Sequence, residues 1–191
     1  MIETAPRFNR ASSKEFSQTL RKRVNAYFEE NNISRTGDAR VAVKALAMFS
    51  LYFIPYIVQM TMNLSTLPYL LCSVLMGLGV SGIGLGIMHD AIHGTYSQNP
   101  KINKLLGYTL NLVGANATVW RVQHNVLHHS YTNIPEGDDD INAPFFLRFS
   151  PHAPKNKMHS FQHWYTWIFY GLSTVSWVTS KDFIRFDRYY K

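Results

Sequence analysis

Two long runs without a charged residue dominate this chain. One covers residues 45–62 and the other residues 67–88, and only residues 63–66 separate them. Each run is close to the about 20 residues that a helix needs to cross the hydrocarbon core of a bilayer. The pattern therefore predicts an all-α integral membrane protein whose residues 41–88 form a transmembrane helical hairpin.

Basic residues set the expected orientation of the hairpin. Residues 1–44 carry nine Lys or Arg and five acidic residues, and the chain after Met88 is again rich in basic residues. Because cytoplasmic flanks of membrane helices carry an excess of Lys and Arg, we expect both regions to be cytoplasmic. The net charge of +7 fits attraction to anionic lipid headgroups, and no pattern of a nucleic-acid-binding module occurs.

Histidines are clustered directly after the second apolar run. HDAIH, here named box one, contains His89 and His93, and HNVLHH, named box two, contains His124, His128 and His129. Histidines four residues apart lie on one face of a helix, and imidazole binds iron, zinc and copper. One such pair is weak evidence of a site, since isolated histidines are usually surface or core residues. Two clusters in a short stretch predict a multi-metal site beside the membrane.

An acidic segment, EGDDDI, follows box two in a loop rich in Pro, Asp and Asn. It is either a solvated loop, or Asp138 or Asp140 hydrogen-bonds to a metal-bound imidazole and orients it. The sequence leaves both interpretations open. We expect residues 89–163, which contain both boxes and this acidic segment, to form a helical, histidine-rich cytoplasmic region.

We expect residues 1–40 to form a polar, amphipathic and cytoplasmic region, since they lack the apolar core of a signal peptide. Ser12 and Glu15 fit a capping box, which predicts a helix start. Apolar residues then recur at helical spacing, at Phe16, Leu20, Val24 and Tyr27. This stripe lies either on the membrane or against the cytoplasmic region.

Four glycines in the second apolar run look superficially like a phosphate-binding loop. They are Gly79, Gly82, Gly84 and Gly86. Their spacing is wrong for a dinucleotide fingerprint and no strand precedes them, so close helix packing is the favoured interpretation. The single cysteine, Cys72, lies in the same run, so no disulfide framework is expected.

The last apolar stretch, residues 164–178, is rich in aromatic residues but short for a membrane span. If it crossed, the basic tail after it would be exported, against the charge rule. We therefore expect residues 164–191 to form an interfacial apolar helix followed by a cytoplasmic basic tail.

Together the two boxes and their flanks resemble a known family. HDAIH at the end of a hairpin, followed by WRVQHNVLHHSYTNIPEGDDDI, is similar to the first two histidine boxes of the membrane fatty acid desaturases. The closest similarity is to bacterial acyl-CoA desaturases of the linoleoyl-CoA and front-end type, from about Ser12 to the end. Box two, together with the TN and DxD that follow it, is the most specific part of this similarity.

The resemblance implies a di-iron site on the cytoplasmic side of a bacterial inner membrane. It makes ligands of the five box histidines: His89, His93, His124, His128 and His129. Asp90, Asn133, Asp138 and Asp140 become candidates for hydrogen bonds to those ligands. The implied substrate is an acyl-CoA or acyl-lipid, with O2 as co-substrate. A ferredoxin or a cytochrome b5-like protein is the implied electron donor, expected to be separate because no HPGG haem signature occurs here.

The chain departs from the family pattern in one respect. The family has a third box, of QxxHH form, after a second transmembrane hairpin, and neither follows here. HSFQH offers His159 and His163 at ligand spacing but lacks a paired HH, so both are weak candidates. We therefore expect the chain to be the N-terminal part of a larger four-span fold.

Three alternatives to a desaturase remain open at this point. A membrane di-iron hydroxylase shares the same boxes. A membrane zinc metallopeptidase could use HDAIH as a variant of HExxH, with Asp90 in place of the catalytic Glu, but box two would then be unexplained. The same histidines also permit a non-enzymatic metal-binding or haem-binding membrane protein.

Overall fold

The computed structural model describes residues 11, 13–135 and 137–190, and every regular element in this part of the chain is helical. The all-α prediction is confirmed for these residues. The chain divides into two compact units that meet in sequence between Thr109 and Leu110. The first is named the N-terminal unit and the second the C-terminal unit.

Most of the N-terminal unit is a hairpin of two apolar helices. α2 spans Ala39–Thr61 and α3 spans Thr66–Ile83, after which the same helical run continues to Ile92. Both runs are long and apolar enough to cross a membrane. The hairpin is therefore confirmed, with longer helices than the uncharged runs alone predicted. α2 begins early because the Asp38 carboxylate caps it, accepting the backbone N–H of Arg40 at 2.8 Å.

Glycines allow α2 and α3 to pack closely. A Cβ at Gly79 would lie 2.7 Å from the backbone nitrogen of Tyr52, and one at Gly82 would lie 2.1 Å from Sδ of Met48. Both distances are shorter than nonbonded atoms allow. The packing interpretation is thus confirmed for these two positions, whereas a Cβ at Gly84 would meet open space.

α1 spans Lys14–Glu30 and precedes the hairpin. Ser12 of the predicted capping box lies outside the described residues. The apolar stripe falls on one exposed face of α1, at Phe16, Leu20, Val24 and Tyr27. Its contact with a membrane surface stays a prediction.

The segment after the hairpin is tied back to the start of α2. α4 (His89–Ile92) ends the long helical run, and α5 (Pro100–Gly107) follows, with Asn99 accepting the backbone N–H of Lys101 at 2.9 Å. Between them, the Thr95 carbonyl accepts the backbone N–H of Gly37 at 3.0 Å. This bond holds the chain that leaves box one against the loop before α2.

Short helices and one long helical run make up the C-terminal unit. α6 (Thr109–Leu112) crosses the boundary in sequence and is followed by α7 (Ala117–Arg121), a π-helical turn (Val122–His128) and α8 (His129–Tyr131). After the acidic loop, a 3-10 turn (Lys157–Phe161) leads into α9 (Gln162–Ser176), a second π-helical turn (Trp177–Lys181) and α10 (Asp182–Tyr190).

The last three of these segments form one uninterrupted helical run from Gln162 to Tyr190. The expected apolar helix and basic tail are therefore parts of the same run. Asp182 fixes its position against α7, since its carboxylate accepts the backbone N–H of Asn116 at 2.5 Å and the indole N–H of Trp177 at 2.7 Å. This brings α10 beside the start of the helix that carries box two.

Candidate metal site

Box one lies at the end of the α3 helical run. A π-helical turn, Gly84–Met88, precedes α4, which begins at His89. His93 donates its backbone N–H to the carbonyl of His89 at 3.1 Å, and the two imidazole centroids lie 4.6 Å apart. The spacing read from the sequence therefore brings both imidazoles together on one side of the helix.

A glycine ends box one. Gly94 has a φ of +75°, a left-handed conformation that glycine adopts without strain. Its backbone N–H donates to the carbonyl of Ala91 at 3.0 Å, and that of Thr95 donates to the carbonyl of Asp90 at 2.9 Å. These two bonds form a Schellman motif, which fixes the last turn and with it the backbone of both histidines.

Asp90 is the acidic residue within box one. Its Oδ1 lies 3.4 Å from Nδ1 of His89, and its Oδ2 lies 3.9 Å from Nζ of Lys44 in α2. Gly86 leaves room for that lysine, because a Cβ there would lie 3.2 Å from the same Nζ. The three side chains are 36–46% exposed, so solvent screens these contacts.

Box two lies in the π-helical turn that follows α7, except for His129, which begins α8. Single π-helical turns inside helices are frequent at functional sites. The rings of His124 and His128 are nearly parallel, at 12°, with centroids 5.1 Å apart. The ring of His129 lies 4.8 Å from that of His124. All three imidazoles of box two thus form one cluster.

A buried aromatic residue backs this cluster. Trp120 is 8% exposed and stacks on His124, with centroids 4.3 Å apart. The short helix that carries Trp120 is capped by Asn116, whose Oδ1 accepts the backbone N–H groups of Thr118 and Val119 at 2.9 and 3.1 Å. Box two therefore rests on a capped and packed helix.

Two carboxylates of the acidic segment contact the Nδ1 atoms of box two. The Asp138 oxygens lie 3.0 and 3.1 Å from Nδ1 of His128, and Oδ2 of Asp140 lies 3.2 Å from Nδ1 of His124. A carboxylate at Nδ1 fixes the tautomer and ring orientation and leaves Nε2 for a metal. These contacts favour the orienting interpretation over a solvated loop.

Asp138 is fully buried, and three donors converge on it. Its oxygens accept the backbone N–H of Asn133 at 2.8 Å and that of Asp140 at 3.0 Å, in addition to the His128 ring. Burial alone would raise the pKa of Asp138, but these hydrogen bonds outweigh it and hold the pKa below its ordinary value. Asn133 therefore contributes its backbone amide, which its φ of 63° presents to the carboxylate.

Ligand atoms of His124, His128 and Asp140 lie within 4.8 Å of one another. Asp140 could in principle bind a metal itself. We interpret it as the hydrogen-bond partner of an imidazole because it contacts the same ring nitrogen, Nδ1, that Asp138 holds on His128.

Asp138, Asp139 and Asp140 form an acidic triplet, and its middle residue, Asp139, faces α10 rather than box two. Asp139 is 6% exposed, and its carboxylate lies 3.6 Å from Nε of Arg185 and 3.1 Å from a guanidinium nitrogen of Arg188. It also accepts the hydroxyl of Tyr189. Burial raises the pKa of Tyr189, and the bond to Asp139 raises it further.

Gln123 joins the two sides of the triplet. This side chain is 4% exposed, donates from Nε2 to Oδ1 of Asp140 and accepts from Arg185 at Oε1. Asp139, Gln123 and three α10 residues, Arg185, Arg188 and Tyr189, were not identified from the sequence. Gln123 and Asp139 adjoin predicted site residues, which is a usable signal, whereas the α10 residues carry no local motif.

Neither histidine of HSFQH joins these clusters. His159 forms a capping box: its Nδ1 accepts the backbone N–H of Asn156 at 3.1 Å, and its Nε2 lies 3.1 Å from the carbonyl of Phe145. Both ring nitrogens thus have backbone partners, which favours a structural role. His163 is exposed, and its ring packs near Trp164.

Comparison with known proteins assigns the family. The model of the fatty acid desaturase family matches residues 64–191, which include both boxes and the acidic segment. The chain belongs to the fatty acid desaturase family. Membership confirms the resemblance and favours it over the metallopeptidase and haem-protein alternatives.

Curated relatives in this family are named for acyl-lipid substrates. The chain is 32% identical over 185 residues to an sn-1 linoleoyl-lipid 6-desaturase of Arthrospira platensis, covering 93% of the chain and 48% of the relative. It is 31% identical over 178 residues to an acyl-lipid (8-3)-desaturase of Physcomitrium patens, covering 92% and 37%. The chain thus spans about half the length of such relatives, or less. No solved structure matched it.

Proposed function

We propose that this protein is an oxygen-dependent fatty acyl desaturase in which the box histidines bind two iron ions. The observation that supports the proposal best is the pairing of His124 and His128 with Asp140 and Asp138 at Nδ1. A histidine that binds a metal through one ring nitrogen almost always donates the N–H of the other to a carboxylate, a backbone carbonyl or water. The donor set therefore fits iron, and the ligands would be His89, His93, His124, His128 and His129.

An unactivated methylene has no acidic proton, so acid–base side chains cannot remove its hydrogens. Iron and O2 would supply that oxidising chemistry when bound. The overall reaction takes two hydrogens from adjacent carbons of the acyl chain and, with O2, two electrons and two protons, yields a cis double bond and two waters. The protein's own residues position the ligands and the substrate and exclude competing reactions. An acyl-lipid is the substrate class that the names of the relatives favour.

The test is to express the full-length protein, including any residues that follow Lys191, in bacterial membranes with a reductase and ferredoxin and to analyse acyl-lipids and acyl-CoA separately by mass spectrometry. We expect a new double bond in the lipid fraction and bound iron in the purified protein. A hydroxylated product would assign the hydroxylase alternative instead. His128→Ala should lose product and iron, whereas His152→Ala, an exposed histidine outside both boxes, should keep both.

We further propose that the hairpin lies in the bacterial inner membrane with both boxes on the cytoplasmic side. Arg40 and Lys44 in the first turns of α2 support this orientation. The exposed aromatic face of α9, which includes Trp164 and Trp167, suits the headgroup level of an interface. Fusion after Lys191 should give a fluorescent green reporter and an inactive alkaline phosphatase. The opposite pattern would mean an exported tail.

A further inference from the structure

A buried cation from α10, Arg185, contacts both Gln123 and the middle aspartate of the triplet, Asp139. Arg185 is 7% exposed, although it lies 62 positions from Gln123 and 46 from Asp139 in sequence. Its guanidinium donates to Oε1 of Gln123 and to the backbone carbonyl of Asp139 at 3.1 Å. Its Nε lies 3.6 Å from the Asp139 carboxylate. One side chain thus holds a backbone group, a carboxylate and an amide.

Arg185 decides which way the Gln123 amide points. A guanidinium has donors only, so the amide atom that faces it must be the oxygen. The amide NH2 is then turned toward Asp140, where it donates to Oδ1. Asp140 uses its other oxygen for Nδ1 of His124. The contacts therefore run without a break from Arg185 to an imidazole of box two.

On the other side, Arg185 sets the position of the triplet backbone. Side chains of successive residues point in opposite directions here, with Asp138 and Asp140 toward box two and Asp139 toward α10. Fixing both the carbonyl and the carboxylate of Asp139 therefore fixes the direction of its two neighbours. Only a planar guanidinium offers donors in a fork wide enough for all these acceptors, and a lysine ammonium does not.

We propose that Arg185 is a positioning residue of box two: through Gln123 and Asp139 it holds in place the two carboxylates that contact the Nδ1 atoms of the imidazoles. This inference rests on the metal-binding function proposed above. It assigns Arg185 no contact with substrate or metal. It predicts that metal affinity and ligand geometry depend on α10.

Gln123→Glu is the sharpest variant. A glutamate keeps an acceptor for Arg185, so the buried cation stays paired and the fold is retained. It removes the donor to Asp140 and places a second carboxylate beside it. We expect a melting temperature in detergent close to that of the wild type, with Co2+ affinity of the metal-free protein lowered about 10- to 100-fold. The visible absorption of bound Co2+ should also change, because that band reports ligand geometry.

A second variant removes Arg185 without leaving an unpaired buried charge. Arg185→Met combined with Asp139→Asn deletes both members of the pair, which proteins tolerate better than loss of one. We expect a folded protein with the same loss of Co2+ affinity and the same spectral change. The matched control is Arg188→Met, since Arg188 is on the same helix and also binds Asp139, but its side chain is 55% exposed. That control should stay within about fivefold of the wild type, as expected for a solvent-exposed ion pair.

Wild-type affinity and spectrum in both Gln123→Glu and the double variant would overturn the inference while leaving the proposed function intact. An equal loss in Arg188→Met would also overturn it, because an exposed residue that contacts only Asp139 would then matter as much as Arg185, and no special role would be left for Arg185. Failure of the proposed function gives a different result: a wild-type protein that binds neither Co2+ nor iron and forms no double bond.

Discussion

Box one and box two have the same spacing of imidazoles but different surroundings. In box one the neighbouring carboxylate, Asp90, belongs to the box itself, and it and His89 are 36% and 37% exposed at the side chain. In box two the carboxylates come from a separate loop, and the side-chain exposures are 26% and 0% for the pair His128 and Asp138 and 15% and 29% for the pair His124 and Asp140. The carboxylate of box one is placed by the local sequence, whereas those of box two are placed by contacts between residues that are distant in sequence.

This difference shows that ligand spacing and ligand orientation have separate origins. A helical turn suffices to bring two imidazoles together, as His89 and His93 show with centroids 4.6 Å apart. Fixing the ring tautomer with a buried carboxylate requires that carboxylate to be satisfied in turn, as Asp138 is by three donors. Box two is therefore expected to depend on more residues than box one does.

Removal of a ligand should have the largest effect, and the same effect at both boxes. His93→Ala and His128→Ala should each lower desaturation by more than about 100-fold and reduce bound iron, because each deletes an imidazole that no neighbour replaces. Iron content by mass spectrometry and product by gas chromatography measure this. A wild-type iron content in His93→Ala would contradict this expectation, since box one would then lie outside the metal site.

Carboxylate variants should separate the two boxes. Asp138→Asn should weaken iron affinity by about 10- to 100-fold, because the ring of His128 loses a charged acceptor that is itself fully buried. The loss of iron affinity in Asp90→Asn should be several-fold smaller, since solvent can replace an exposed partner. Iron competition titrations on both variants give the ratio. Equal losses would show that exposure does not decide the contribution of these carboxylates.

Lys181, near the acidic side of box two, gives a pH test of its buried charges. Burial and the nearby Arg185 lower its pKa from 10.5 to about 8. The unfolded state therefore binds more protons than the folded state above about pH 8, so stability should rise with pH in that range, by about 1 kcal/mol after allowance for partial exposure.

Thermal unfolding in detergent from pH 7.5 upward measures this rise, which Lys181→Met should lack. The scan stays below the ordinary tyrosine pKa of 10.0, because the raised pKa of Tyr189 reverses the slope above it. A wild-type slope in the variant would assign the rise to another group.

The smallest effect is expected at the ion pair beside box one. Lys44→Met removes a contact of 3.9 Å between two partly exposed side chains. Such pairs contribute at most about 1 kcal/mol, so iron affinity should change by less than about fivefold. A loss of iron affinity as large as that in Asp138→Asn would show that metal binding at box one also depends strongly on contacts beyond the histidines.

The sequence predicted the hairpin and the clustering of histidines because both follow from local rules of length and spacing. It named Asp138 or Asp140 as a possible partner of an imidazole but left a solvated loop equally open, because the choice depends on the burial of Asp138, which the sequence does not show. No local sequence pattern could have identified Arg185. Its partners Gln123 and Asp139 lie 62 and 46 positions away, and only the packing of α10 against α7 brings them together.

The alternation within the aspartate triplet limits how this loop can change in length during evolution. Inserting or deleting one residue between Asp138 and Asp140 would mean that the two carboxylates no longer both face box two. One of them would then face α10 instead of contacting an imidazole. Residues added before Asn133 or after Ile141 would leave that parity unchanged. A change of length at either end of the loop should therefore disturb box two less than a change between Asp138 and Asp140.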